Sequence, residues 1–161
     1  MSDHHHKETF ITKYIFSMDH KMIAKQFLLT GMFMAFIGML MSAIFRVQLA
    51  NPGEYSVLYN LLPGGWVNGD GALNPDKYLA LVTMHGTILV FWVLTAGLSG
   101  TFANFLIPLQ IGARDMASGF LNMLSYWFFF LATIVLVWSI FYDDPTTLDV
   151  VDGPASAGWT I

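Results

Sequence analysis

Three long stretches of the chain carry no charged side chain. They run over residues 26–45, 78–113 and 116–142, and only His85 interrupts the second with an ionisable group. About twenty apolar residues in helical form cross the ~30 Å hydrocarbon layer of a membrane. The pattern therefore predicts three spans, near 26–47, 78–106 and 120–142. Hydrophobic and polar positions do not alternate, and each run is too long for a barrel strand. The predicted fold class is all-α, a polytopic membrane protein with three transmembrane helices. Four polar segments, 1–25, 48–77, 107–119 and 143–161, complete the division.

Composition points the same way. Hydrophobic residues make up 55% of the 161 and charged residues only 11%, against about 25% charged in soluble proteins. Eighteen charged side chains (seven basic, eleven acidic) cannot form the polar shell of a soluble enzyme. A net charge of −4 argues against a nucleic-acid partner. The absence of cysteine excludes disulfides, thiolate metal sites and a cysteine nucleophile. Ten methionines and fourteen phenylalanines suit lipid-facing and packing positions and need no cofactor.

Charge also gives an orientation. Lys7, Lys13, Lys21, Lys25 and Arg114 flank one side of the predicted spans, and only Arg46 and Lys77 the other. The positive-inside rule then places the amino terminus and the 107–119 loop in the cytoplasm. The acids Glu54, Asp70, Asp76, Asp143, Asp144, Asp149 and Asp152 fall outside. The first span is no signal peptide, because a polar segment precedes it and no small-residue cleavage site follows. The leader MSDHHHKE reads as a solvated tail, with a metal-binding cluster or a purification tag as the alternatives. The Gly-, Pro- and Asn-rich stretch 51–76 predicts an irregular external lobe. A third span that runs into an acidic segment suggests the front of a larger protein.

Ionisable groups within a span are costly and are functional candidates. His85 lies seven residues beyond Tyr78, roughly 10 Å below the outer surface at 1.5 Å per residue. Its imidazole can offer a nitrogen to a metal, and Gly86 leaves room for a flat ring; equally, it can hydrogen-bond a neighbouring helix. If it ligates haem iron, any second axial ligand must come from outside this chain, because His20 lies at the opposite membrane face. Arg46, near the depth of His85, can hydrogen-bond a haem substituent or snorkel to headgroups. Ala96, Gly100 and Asn104 share one face of the second span; the first two read as packing residues. Asn104, Asp115 and Asn122 gather near the inner face. A carboxylate with two amides there suits a water-filled proton mouth, and the alternative is an aspartate capping the third span plus amides at helix contacts.

Several motifs occur in a fixed order: FITKYIFSMDHKMI, RVQLANPG, TMHGTILVFW, GTFANFLIPLQIGARDMA and LNMLSYW. Together they resemble the amino-terminal part of subunit I of the haem–copper respiratory oxidases, from about residue 10 to the end. The resemblance implies the front of a twelve-helix-type bundle. His85 would be an axial ligand of the low-spin haem iron and Arg46 a contact of that haem, expected to be haem A. Asp115 would stand at the mouth of a proton channel lined by Asn104 and Asn122. No catalytic residue of the oxygen-reducing centre falls in this segment; a high-spin haem and copper B are expected in the remainder.

The implied activity is that of a proton-pumping terminal oxidase reducing O2 to water in a bacterial plasma membrane. Its implied partners are the rest of subunit I, a copper-bearing subunit II, subunit III and cytochrome c or an electron-donating complex. Alternatives are a quinol oxidase of the same family and a non-catalytic three-helix scaffold. The chain departs from the family pattern in places. Ala117-Ser118-Gly119-Phe120 replaces Ala-Phe-Pro-Arg, and Met123 replaces one of the paired asparagines. Gln48 stands where some members hold a structural Ca or Na ion with a carboxylate, which argues against that ion. GARD also occurs in quinol oxidases. Ile37 and Met41, however, occupy the positions of a quinone-binding Arg and Asp and cannot pair with a quinone carbonyl, so cytochrome c is the better donor.

Overall fold

The computed structural model describes residues 10–141 except 53, 55, 63 and 64. The histidine-bearing leader and the segment from Tyr142 onward, with Asp143, Asp144, Asp149 and Asp152, lie outside the described residues. Within them the chain is helical, and its only bridge is an isolated antiparallel pair, Val67 with Leu73. Three helices are long and apolar enough to span a membrane: α1 (His20–Ala50), α2 (Pro75–Ile111) and α3 (Gly119–Phe141).

α1 outruns its uncharged stretch at both ends and α2 at its start, and local chemistry explains where they start and stop. Asp19 caps α1, its carboxylate accepting from the Lys21 amide at 3.2 Å. Its 31 residues make a rod of about 46 Å, several turns longer than the hydrocarbon layer. Asn74 caps α2 through the Asp76 amide, and Pro75 occupies the first turn, where a missing N–H costs nothing. α2 ends at Gly112, whose φ of 69° is the left-handed conformation that lets the Ala113 amide return to the Pro108 carbonyl at 2.9 Å. Its middle turns, Ile88–Ser99, widen to π geometry. There the Thr95 hydroxyl donates to the Val90 carbonyl five residues back.

α1 forms the middle of the molecule. His20, Ile23, Ala24, Phe27, Thr30, Gly31, Met34, Gly38, Met41 and Ile44 are buried, a stripe with the three-and-four spacing of one helical face. α2 lies along it, and the closest approach is glycine on glycine. A Cβ on Gly31 would stand 2.9 Å from the Gly97 Cα. One turn further in, Gly100 admits the Phe27 ring. Two direct bonds hold α3: Thr30 with the Tyr126 hydroxyl at 3.2 Å, and Trp92 Nε1 donating to Thr133 Oγ1 at 2.9 Å. Its other side exposes Phe128, Leu131, Val135 and Trp138. A bare apolar face suits lipid or further helices and would be unsustainable in water.

Outside the spans, the predicted lobe packs Tyr59, Trp66 and Leu73 onto Met41, Ile44, Leu81 and Met84. Gln48 ties it down: its Oε1 accepts from the Tyr59 hydroxyl at 2.8 Å and from the Leu73 amide at 3.0 Å. Both lone pairs of that oxygen are thus committed within the lobe. Lys77 is buried with its ammonium 5.6 Å from the Trp66 ring.

Candidate functional sites at the two membrane faces

The five residues singled out above fall into two groups on α2 and its neighbours. Asn104 is nineteen residues after His85, roughly 28 Å further along the helix. One group therefore belongs to the half of the spans that the charge pattern predicts to be outer and the other to the end it predicts to be inner, and both are named by that prediction.

At the outer group, His85 is half-buried where α2 crosses α1, and Phe45 meets its ring edge-on at 5.4 Å. Nδ1 lies 2.8 Å from the Gly38 carbonyl of α1. A carbonyl only accepts, so Nδ1 carries the hydrogen, and in the neutral ring Nε2 then keeps its lone pair. That is the tautomer a metal-ligating imidazole needs, with the outer-shell bond that orients it already made. The ring borders an open groove of about 550 Å³, lined by Ala35, Met39, Ser42, Ala43, Arg46, His85 and Leu89. Such a volume is within the ~300–1,000 Å³ of ordinary ligand sites. Small side chains form its floor, exposed Arg46 brings the one cation, and a Cβ added to Gly86 would meet nothing within 4 Å. The residues present fit a flat, anionic, iron-bearing ring: one nitrogen ligand, one guanidinium, and space between.

At the inner group, Asp115 does not cap α3. Ser118 does, receiving the Leu121 amide on its hydroxyl and the Asn122 amide on its carbonyl. Asp115 Oδ1 instead accepts from the His20 amide at the start of α1, at 3.3 Å, and from the Met116 amide at 2.8 Å. A helix amino terminus suits a carboxylate, because its first amides are unpaired and its dipole is positive. The His20 ring then reaches α2, with Nδ1 2.9 Å from the Asn104 carbonyl. So Asp115 and Asn104 are brought together through a residue that the sequence pattern placed only at a membrane face. The signal for His20 was present in α2: Pro108, four residues after Asn104, has no N–H to give the Asn104 carbonyl.

Asn104 is buried, donates Nδ2 to the Gly100 carbonyl at 2.8 Å, and leaves Oδ1 without a partner. Asn122 on α3 leaves its buried Nδ2 likewise, and no hydrogen bond joins it to Asn104 or Asp115. Gln26 Oε1 and Trp127 Nε1 are the other buried side-chain atoms without partners among the described residues. All four lie in the inner part of the spans. Asp19, His20 and Asp115 each bring one ligand atom within 4.8 Å of the others, a spacing that a divalent cation or shared protons would accept. In contrast, Thr30 is bonded to Tyr126, and Trp92 to Thr133.

Comparison with known proteins supplies the family. The model of the family described as Cytochrome C and Quinol oxidase polypeptide I matches residues 22–161. The "Alternative cytochrome c oxidase subunit 1" of Bradyrhizobium diazoefficiens is 38% identical over 157 residues, 98% of this chain and 23% of that protein. The "Cytochrome c oxidase subunit 1" of Thermostichus vulcanus is 36% identical over 91% of this chain and 22% of its own length. The "Heme-copper oxidase subunit I+III" of Aeropyrum pernix is 35% identical over 94% of this chain and 16% of its own. The chain thus spans under a quarter of the length of these relatives. A matched stretch of 140 residues that includes both groups of polar side chains leaves one conclusion: the chain belongs to the cytochrome c and quinol oxidase polypeptide I family.

Proposed function

We propose that this chain provides the low-spin haem site and the proton-uptake mouth of a proton-pumping terminal oxidase that reduces O2 to water. The observation that carries the reading is the His85 tautomer. With Nδ1 held by the Gly38 carbonyl, the free Nε2 lone pair is turned over to a ligand beside a groove that contains Arg46. His85 would hold the haem iron, and Arg46 would hydrogen-bond the haem's acidic substituents. Haem, as haem A, supplies one-electron transfer when bound. The chain's own residues orient the ligand ring through Gly38 and Phe45 and balance the charge through Arg46.

At the inner end, Asp115 collects protons from the cytoplasm, and Asn104 and Asn122 hold water behind it. The unpartnered amide atoms of both asparagines support this, since a buried unsatisfied polar group costs about 1–3 kcal/mol and water is its usual partner. Each proton moved outward works against about 2.3 kcal/mol per 100 mV. The route must therefore be guarded, and the bonded pairs Thr30–Tyr126 and Trp92–Thr133 beyond the asparagines are consistent with that need.

The oxygen-reducing haem–copper B centre is assigned to sequence beyond these residues, with subunits II and III as the remaining partners. The setting is a bacterial plasma membrane, amino terminus in the cytoplasm. Cytochrome c, or a complex acting in its place, is the preferred donor over a quinol. Ile37 and Met41 line a cavity of about 210 Å³ whose other walls include Leu40, Ile44, Leu81, Ile140 and Trp66, with no charged side chain to pair with a quinone carbonyl. The deciding experiment is His85→Ala in the complete oxidase. The low-spin haem band should vanish; an unchanged spectrum would leave only a three-helix scaffold.

A further inference from the structure

We infer that His20 is the positioning residue of the proton-uptake mouth, holding the acid of the inner loop and the first channel amide in fixed register. The inference rests on the proton-uptake reading of Asp115 and deepens it. His20 is 2% exposed, a histidine buried at the very start of α1. Two other elements converge on it. Its backbone amide donates to Asp115 Oδ1 in the loop between α2 and α3, and its ring donates to the Asn104 carbonyl of α2. Asp19 next to it caps the same helix end through the Lys21 amide.

The Asn104 contact has a specific cause. In a regular helix the Asn104 carbonyl would accept from residue 108, but that residue is Pro108, which is buried and has no N–H. The carbonyl is left without its helical donor in a buried place, and the His20 imidazole supplies one from another helix. Because the acceptor is a carbonyl, Nδ1 carries the hydrogen. The side chain of Asn104 is in turn tied to the Gly100 carbonyl, so its orphan Oδ1 has a defined direction. His20 therefore sets where both the acid and the amide stand, through its main chain and its ring respectively. It touches neither substrate nor haem and acts through Asp115 and Asn104.

The test uses the complete oxidase, with the low-spin haem band and thermal midpoint reporting assembly and single-turnover proton uptake reporting function. In His20→Asn, the amide nitrogen falls close to the place of Nδ1 and can still donate to the Asn104 carbonyl. In His20→Gln the nitrogen falls nearer the place of Nε2 and cannot. The expected result is uptake at the parent rate in His20→Asn. His20→Gln and His20→Ala should lose roughly tenfold or more, as misplacement by an ångström can cost up to about a hundredfold. The haem band should be unchanged throughout. Parent-rate uptake in the Ala variant, or equal uptake in the Asn and Gln variants, overturns the inference. Should the Ala variant fail to assemble, the Asn–Gln pair still decides. Asp115→Asn run beside them separates the two claims: normal uptake there removes the channel reading itself. Slow uptake there with normal His20 variants removes only the role of His20.

Discussion

Gly31→Ala is the substitution with the most calculable consequence. The added Cβ would stand 2.9 Å from the Gly97 Cα, and both atoms belong to rigid helix backbone. Carbon atoms in contact rest about 3.5–4.0 Å apart, so α1 and α2 must separate by roughly 0.6 Å or more at that point. Overpacking of this kind costs about 1–3 kcal/mol. Gly38 is two turns outward, and its carbonyl holds His85 Nδ1 at 2.8 Å. A parallel shift of 0.6 Å would take that pair to about 3.4 Å, past the ordinary hydrogen-bond range. The expected phenotype is a lower thermal midpoint together with a shifted low-spin haem band or potential. Gly69→Ala is the control, since nothing lies within 4 Å of its added Cβ; surface changes of that sort stay within about 0.5 kcal/mol. Paired measurements of melting and of the reduced-minus-oxidised spectrum decide the matter. If Gly31→Ala matches the control in both, the helices do not cross as tightly as described and the link to His85 fails.

Further tests address the other contacts. Asp115→Asn should slow turnover by roughly tenfold, about 1.4 kcal/mol on the limiting barrier, and impair pumping in reconstituted vesicles; parent-level pumping would end the uptake reading. Trp92→Phe removes the bond to Thr133 and should lower stability by about 0.5–1.5 kcal/mol, read as a shift in the thermal midpoint. Burial raises the Tyr59 phenol above its ordinary value near 10. The folded lobe therefore retains a proton that the unfolded chain gives up, so its stability is full below pH ~10 and falls as pH rises beyond it. Limited proteolysis across that window should show the lobe opening, and Tyr59→Phe should blunt the pH dependence; cleavage independent of pH would contradict it.

Much of this arrangement was legible in the sequence because the bilayer is a severe solvent. Charge-free runs announce spans, and any polar side chain within them stands out, which is how His85 and Asn104 come forward; Asp115 comes forward as an acid in the short loop between two spans. Helix ends were less legible. Asp19 and Asn74 are good caps, but the charges of Lys21, Lys25 and Lys77 mask the turns that follow them. The π turns of α2 were not legible at all, since no spacing of apolar positions announces them and their hydroxyl bonds, such as that of Thr95, appear only in the folded helix. Gln48 read only as a missing ion ligand; that its oxygen ties Tyr59 to Leu73 depends on a chain reversal twenty-five residues long. His20 needed two distant facts joined, a buried imidazole and a proline four residues after an asparagine.

The two polar groups share one construction, applied in opposite directions. Near the outer face a histidine of α2 donates Nδ1 to a carbonyl of α1, and at the inner face a histidine of α1 donates Nδ1 to a carbonyl of α2. Each bond fixes an imidazole tautomer, and each crosses the same helix pair. Gly31 lies eleven residues from His20 and seven from Gly38, about 16 and 10 Å along α1. The glycine crossing is thus a fulcrum between the two. A displacement of α2 against α1 cannot change one histidine's geometry without loading the other. Between them Thr30 is bonded to Tyr126 and Trp92 to Thr133, two pairs that satisfy one another across the helices. The proposed function, an electron site and a proton mouth kept in register, is served by that arrangement: rigid coupling through the backbone, with paired polar groups between.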